Sequence, residues 1–223
     1  MSGQELPMAK ILITSGPTRQ YLDPVRYLTN ASSGRMGKAL VEAALALGHE
    51  VVVVSGPVEV DYPLAARVVP VISTEDMLAA AEREFDACDG LIGAAAPCDY
   101  RPVRVESHKI VKTGQPVDLH LLETEDVVAT LGERKGRRWV VGFALETEDH
   151  RLRALAKLER KHCDLIVSNG ATAIASPDNT VEILAADGEV LATLAGPKEE
   201  VAAEILELID RRLIAPTTRA AQR

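Results

Sequence analysis

The sequence predicts an α/β fold, Rossmann-like and doubly wound, with a mostly parallel sheet covered by helices on both faces. Three observations predict it. Short apolar runs such as Ile11-Leu12-Ile13-Thr14 and Val51-Val52-Val53-Val54 lack polar alternation, as strands covered on both faces require. Segments of helical periodicity separate these runs, which implies right-handed crossovers between parallel strands. Ser-Gly-Pro signals at 15–17 and 55–57 end the first two strands sharply.

Residues 34–47 read as the first helix, with Met36, Leu40, Ala44 and Leu47 at helical spacing and Gly48 as its C-terminal stop. Residues 68–72 form a strand that Pro70 confines to a sheet edge. Ser73 caps the next helix, with Asp76 three residues on completing a near capping box. Residues 91–96 are the next buried strand. Residues 139–143 and 165–167 supply two more, around a charged helix over about 149–161. Two regions break the rhythm. Residues 99–115 are polar and aperiodic, as in a lid (about 99–116) or an unstructured segment. Asp187-Gly188 sits between two apolar runs as a hairpin turn over about 180–194, and residues 117–122 alternate weakly enough to pair with that hairpin in a small antiparallel sheet. An amphipathic helix carrying Val201, Ile205, Leu208 and Ile209 closes the chain. One domain over 10–214 is expected, with a disordered N-terminus (1–9) and a frayed tail (215–223).

Composition narrows the function. A formal net charge of −8 and 3% aromatic residues among 223 disfavour both a nucleic-acid backbone and base stacking as ligands. The three cysteines share no CxxC spacing, so neither a disulfide framework nor a zinc site is expected, and Cys88 and Cys163 belong at strand starts. The N-terminus lacks an apolar signal region and no stretch reaches a membrane-spanning length, which points to the cytoplasm.

The chemistry concentrates at Asn30-Ala31-Ser32-Ser33-Gly34-Arg35-Met36-Gly37-Lys38. A helix start offers unpaired N–H groups and the positive end of its dipole to an anion. Glycines let the backbone approach it, and the serines can cap or donate. A plain capped helix packed through a glycine explains the same letters. The P-loop pattern fails, because Ala39 follows Gly37-Lys38. A dinucleotide fingerprint nearly fits, yet the strand at 51–54 ends without the acidic residue that holds a ribose, and the 15–33 loop is far longer than roughly two to six residues. That loop carries Arg19, Asp23 and Arg26; a paired Asp23–Arg26 or an anion site would both use them.

Read together, Thr14-Ser15-Gly16-Pro17-Thr18-Arg19, Asp23-Pro24-Val25-Arg26 and the Asn30-to-Gly37 stretch closely resemble the phosphopantothenoylcysteine synthetase (phosphopantothenate–cysteine ligase) family. The likeness continues in order through Gly93-Ala94-Ala95-Ala96, Asp99-Tyr100-Arg101-Pro102, Lys109-Ile110-Val111-Lys112, Gly142-Phe143-Ala144 and Asn169. It spans about residues 10–194. In many bacteria this unit follows a flavin-dependent decarboxylase, so a freestanding form is expected here, with a separate decarboxylase as a candidate partner.

The resemblance implies an enzyme that activates 4′-phosphopantothenate with CTP and Mg²⁺ to an acyl-cytidylate, which cysteine converts to an amide in coenzyme A biosynthesis. It implies that Gly16, Ser32, Ser33, Gly34 and Gly37 cradle the triphosphate, and that Asn30 binds the reacting carboxylate. It places Ala95, Ala96 and Asp99 at phosphopantothenate, with Arg26 reaching its phosphate from a neighbouring subunit of a homodimer. Gly93, Ala94, Ala95, Asp99, Phe143, Lys157, Lys161 and Asn169 fall where relatives hold the nucleotide, and Lys109 aligns with a functional lysine of the lid. Departures are Val111 in place of a middle lysine, Pro97-Cys98 where small residues are usual, and Gly170 after Asn169. Cys98 reads as a filler. No metal ligands follow. The competing readings are a short-chain NAD(P)-dependent oxidoreductase, for which no Tyr-x-x-x-Lys pair exists, and a non-catalytic nucleotide-binding regulator.

Overall fold

The computed structural model describes residues 8–146, 150–170 and 178–215. Most of the expected N-terminal arm and tail therefore lies outside the described residues. The first strand, β1 (Lys10–Ser15), opens the chain and is followed by a small hairpin, β2 (Arg19–Tyr21) and β3 (Tyr27–Thr29). Helix α1 (Arg35–Ala46), β4 (Glu50–Ser55), β5 (Arg67–Pro70) and α2 (Thr74–Phe85) complete the first half. The second half runs β6 (Gly90–Gly93), β7 (Tyr100–Pro102), β8 (Leu121–Glu123), α3 (Val127–Glu133), β9 (Trp139–Glu146), α4 (His150–Arg160) and β10 (Leu165–Gly170). A hairpin of β11 (Asp178–Ala185) and β12 (Val190–Pro197) leads into α5 (Lys198–Ile209) and a π-helical turn, Asp210–Ile214.

Eight strands form one sheet in the order β12-β11-β10-β9-β6-β1-β4-β5, parallel from β10 to β5. The chain winds outward from β1 through β4 to β5, then returns to the other side of β1 and winds through β6, β9 and β10. The direction reverses between β1 and β6, which opens a crevice beyond their carboxyl ends, where ligands of such sheets bind. Strand residues alternate between two cores. Ile11, Ile13, Val51 and Val53 pack under α1 and α5, while Leu12, Val52 and Val54 pack under α2 and its neighbours. Both faces are covered, so the apolar runs are continuous.

Local signals explain the boundaries. Ser73 Oγ accepts the Asp76 amide and Asp76 returns the bond to the Ser73 amide, each at 3.0 Å, completing the capping box at α2. β5 pairs with β4 alone, as Pro70 requires at an edge. Cys88 and Cys163 lie two residues before β6 and β10, free and buried, and burial pushes their thiols up to about 11 and about 12. Both are neutral thiols at pH 7.

Three expectations need correction, and two features were not foreseen. The strand over 91–96 stops at Gly93, because Ala96 leaves the ladder to donate its amide to Gly16 O at 2.9 Å. Residues 117–122 do not join the late hairpin; β8 pairs with β7 instead. That late hairpin is no separate sheet, since β11 runs antiparallel to β10 and extends the main one. The 15–33 loop holds the β2–β3 pairing, and α3 was not foreseen at all. Its seven residues span two turns, too short for periodicity to register. No described helix is long and apolar enough to cross a membrane.

Two features carry predictions. A Cβ on Gly37 would lie 1.9 Å from Ser15 Oγ, so Gly37→Ala must push α1 off the end of β1. We expect a loss of about 1–3 kcal/mol in urea unfolding; an unchanged midpoint would refute the close approach. The second is a buried pair. His49 Nδ1 accepts the Ala9 amide at 3.2 Å, so the neutral ring carries its proton on Nε2, 3.9 Å from Asp210 Oδ1. Burial lowers the His49 pKa below its ordinary 6.5, against the pull of Asp210, and burial raises that of Asp210 above 3.8, against His49. With the folded His49 value depressed, the unfolded chain binds the proton first. This group's contribution is therefore whole above pH 6.5 and erodes below it, by at most about 1.4 kcal/mol per pH unit. Asp210→Asn removes both the pull on His49 and the opposing gain from protonating Asp210. Its urea midpoint should fall more steeply than wild type between pH 7 and 5; parallel curves would contradict this.

Candidate active site

The site is built on the connection that leaves β1. Asp23, fully buried, organises its tip. Its Oδ1 accepts the Val25 and Arg26 amides at 2.8 Å each, and its Oδ2 accepts Arg26 Nη1 at 2.8 Å and the Ile110 amide at 3.1 Å. Burial pushes the Asp23 pKa up, but the three amides and the Arg26 guanidinium outweigh it and hold the carboxyl below its usual value. Arg26 Nη1 also donates to Ile110 O at 3.0 Å. Of the two uses open to Arg26 in the sequence, the structure shows the pairing with Asp23.

Below this clasp, three backbone segments converge at the carboxyl end of β1. Gly16 and Gly34 both take φ +75°, and a Cβ on either would strike Val58 Cγ1 at 2.6 Å. Gly34 is the N-cap of α1, and no side chain caps the helix. The serines therefore do not fill the capping role open to them; Ser32 instead folds its own amide back onto Asn30 O at 2.9 Å. The helix start faces a cleft of about 400 Å³ lined by Arg19, Asn30, Ser32, Ser33 and Val58. The Arg19 guanidinium stacks on the Tyr27 ring, 4.6 Å from its centroid.

A second cleft, of about 530 Å³, opens over the carboxyl ends of β6 and β9. Thr14, Gly93 and Phe143 lie along it, with Ala95, Pro97, Asp99, Thr124, Asp126, Arg160 and Lys161 around them. Asn30 joins the two. It lines the first cleft while its Nδ2 donates to Pro97 O, on the wall of the second, at 2.8 Å. One Nδ2 proton is spent on that bond and fixes the amide plane.

Part of the charge in the second cleft is paired. Asp126 caps α3 by accepting the Ala129 amide at 3.1 Å, and its other oxygen meets Lys161 Nζ at 3.0 Å and Arg160 at 3.6 Å. Burial raises the Asp126 pKa, but Lys161, the Ala129 amide and Arg160 together bring it below its ordinary value. Thr124 and Asp126 were missed from sequence. The Asp before Val127-Val128 is an N-cap signal only once α3 is recognised.

The structure brings Asn30, Ser32 and Ser33 to the first cleft, with Gly16, Gly34 and Gly37 packed around Val58 and Ser15 beside it, and Gly93, Ala95, Asp99, Phe143 and Lys161 to the adjoining cleft. Ala94 packs partly against the core and Ala96 bridges to Pro17 between the two groups. Lys109 is not brought there. It lines a third cleft of about 810 Å³ with Leu22, Ile110 and His120. Lys157 on α4 and Asn169 on β10 do not line the first two clefts either. Among the described residues no group of three or more His, Cys, Asp or Glu side chains could hold a metal ion.

Comparison with known proteins accords with this geometry. Residues 6–213 match the family model for the DNA/pantothenate metabolism flavoprotein C-terminal domain. The coenzyme A biosynthesis bifunctional protein CoaBC of Bacillus subtilis is 42% identical over 204 residues, covering 89% of this chain and 50% of that protein. Its namesake from Vibrio parahaemolyticus is 38% identical over 204 residues, covering 88% and 51%. The chain thus spans about half the length of these relatives. Among solved structures, the C-terminal domain of a CoaBC protein superposes with a TM-score of 0.79 at 40% identity, covering 93% of this chain and 98% of that one. The DNA/pantothenate metabolism flavoprotein of Streptococcus pneumoniae gives 0.78 at 26% identity, covering 91% and 99%. With nearly its whole length accounted for by one model, the chain belongs to the DNA/pantothenate metabolism flavoprotein C-terminal domain family, the phosphopantothenoylcysteine synthetase family that its motifs resemble.

Proposed function

We propose that this chain is a phosphopantothenate–cysteine ligase of coenzyme A biosynthesis, using CTP as co-substrate and acting in the cytoplasm. The observation that carries the reading is Asn30, bonded across the wall between the helix-start cleft and the β6–β9 cleft. A reaction that joins a nucleotide's α-phosphorus to a carboxylate needs one group at such a junction.

In this reading the uncapped amides of α1, with Gly34 and Gly37 allowing close approach, hold the triphosphate. The phosphopantothenate carboxylate attacks the α-phosphorus, a C(O)–O–P linkage forms and pyrophosphate leaves. The free Nδ2 proton of Asn30 steadies the carboxylate oxygens, and a neutral amide does so without competing as a nucleophile. The cysteine amine then attacks the acyl carbon, loses its proton, and displaces CMP. Phe143, Asp99 and Lys161 line the cleft suited to the nucleoside. Mg²⁺ would accompany the triphosphate as its counter-ion and supply charge neutralisation there. Lys109 and Arg26, away from the two clefts, fit service to a neighbouring copy's site, and exposed Val103, Val105, Val111, Val117 and Leu122 around the lid support a homodimer. A separate decarboxylase would supply or take up no atom in these steps; its association is a question of pathway organisation.

The test is pyrophosphate release with CTP or ATP, phosphopantothenate, cysteine and Mg²⁺. We expect turnover that depends on all components and prefers CTP; no product with any nucleotide removes the assignment. Asn30→Ala should cut kcat by about 10²–10³-fold with CTP binding, measured by calorimetry, little changed. Normal turnover in this variant would refute the role of the amide.

A further inference from the structure

Thr18 and Thr74 stand outside both clefts, fully buried or nearly so, and the reaction described above uses neither. Their hydroxyls lie 2.8 Å apart. The Cys98 amide donates to Thr18 Oγ1 at 2.7 Å, and Thr74 Oγ1 donates to Cys98 O at 3.0 Å. A hydroxyl has one proton. Thr74 spends its own on Cys98 O, so the Thr18 hydroxyl donates to Thr74. The result is a closed ring in which every donor points the same way: Cys98 N–H to Thr18, Thr18 to Thr74, Thr74 to Cys98 C=O. Thr124 Oγ1 fills the second lone pair of that carbonyl at 2.8 Å. Bonds in such a one-way chain polarise one another in series and hold the residue at both its peptide groups harder than isolated contacts do.

The ring thus holds Cys98 by both of its peptide groups, and its N–H belongs to the same peptide as the Pro97 carbonyl that orients Asn30. The threonines come from two other places, Thr18 from just before β2, early in the connection that leaves β1, and Thr74 from the first turn of α2. Thr29, next to Asn30, donates its hydroxyl to Thr18 O at 2.7 Å. Both sides of the Asn30–Pro97 bond are thus tied to one threonine.

We propose that Thr18 and Thr74 are positioning residues for Asn30, acting through the ring at Cys98. This rests on the ligase reading for its kinetic part only. Thr74→Val removes the ring proton while keeping the shape. We expect kcat to fall by up to about 10²-fold, the scale of a small misplacement, with KM for CTP little changed and with Thr74→Ser restoring most of the rate. In an Asn30→Ala background Thr74→Val should cost little more, since both act on one interaction. The Asn30 side-chain amide resonances should move in Thr74→Val and return in Thr74→Ser, whether or not any turnover is seen. If Thr74→Val does not fold, Thr18→Val is read in the same way. An unmoved Asn30 signal, or the same fold-loss with and without Asn30, overturns the proposal. A wild-type chain that releases no pyrophosphate sinks the ligase reading instead, and leaves the ring to be judged on the Asn30 signal.

Discussion

The close approach of α1 to the end of β1 is the constraint on which the site depends. Gly37 sits so near Ser15 that no side chain fits between them, and Gly16 and Gly34 turn with positive φ around Val58. Gly56 closes the same knot, since a Cβ there would lie 1.7 Å from Pro17 O. Three loop glycines and one in the first turn of α1 thus bring the segments together where larger residues would hold them apart. Chain chemistry sets this spacing, packing fixes it, and the helix start is left facing a cleft rather than a side chain.

The fold adds a second requirement. The topological reversal separates the β1 connection from the β6 connection, so the crevice between them must be bridged by side chains and loop backbone. Ala96 does this with its amide on Gly16 O, Asn30 with its amide on Pro97 O, and Thr18 with its hydroxyl at the Cys98 amide. Each contact joins a residue of one half to a residue of the other. Motion of either loop would therefore be felt in both clefts, which suits a site whose two substrates must meet.

Much of this was legible in the chain. The uninterrupted valines of 51–54 could only be a strand with two covered faces, and Pro70 named its own edge. The Ser73–Asp76 spacing gave the capping box outright. The glycines at 34 and 37 marked close approach, though not whether the serines beside them would cap. What stayed hidden was long-range or short. Asp23 could have been a local partner or an anchor for a residue 87 positions away, and its bond to the Ile110 amide answers that only in three dimensions. The β2–β3 and β7–β8 pairings involve three residues a side, too few for a period to emerge. The threonine ring unites residues 18, 74 and 98, for which no spacing rule exists.

The placement of charge argues for amides rather than side chains as the means of holding an anion. Within this chain Arg26 Nη1 is paired with Asp23, and Lys161 and Arg160 with Asp126. A phosphate approaching these cations must compete with a carboxylate already in contact, in a chain whose net charge is −8. The helix starts differ in the same sense. Helix α2 opens on a capping box with Glu75 and Asp76 in its first turn, α3 on Asp126, and α5 on Glu199 and Glu200. Negative charge there satisfies the dipole from within. Helix α1 has no acidic residue in its first turn and no side-chain cap, so its first amides are left open to a ligand. An anionic substrate gains most at a helix start that no side chain caps, and this one opens beside a cleft lined by Arg19 and Glu59, where Asn30 leads to the second cleft.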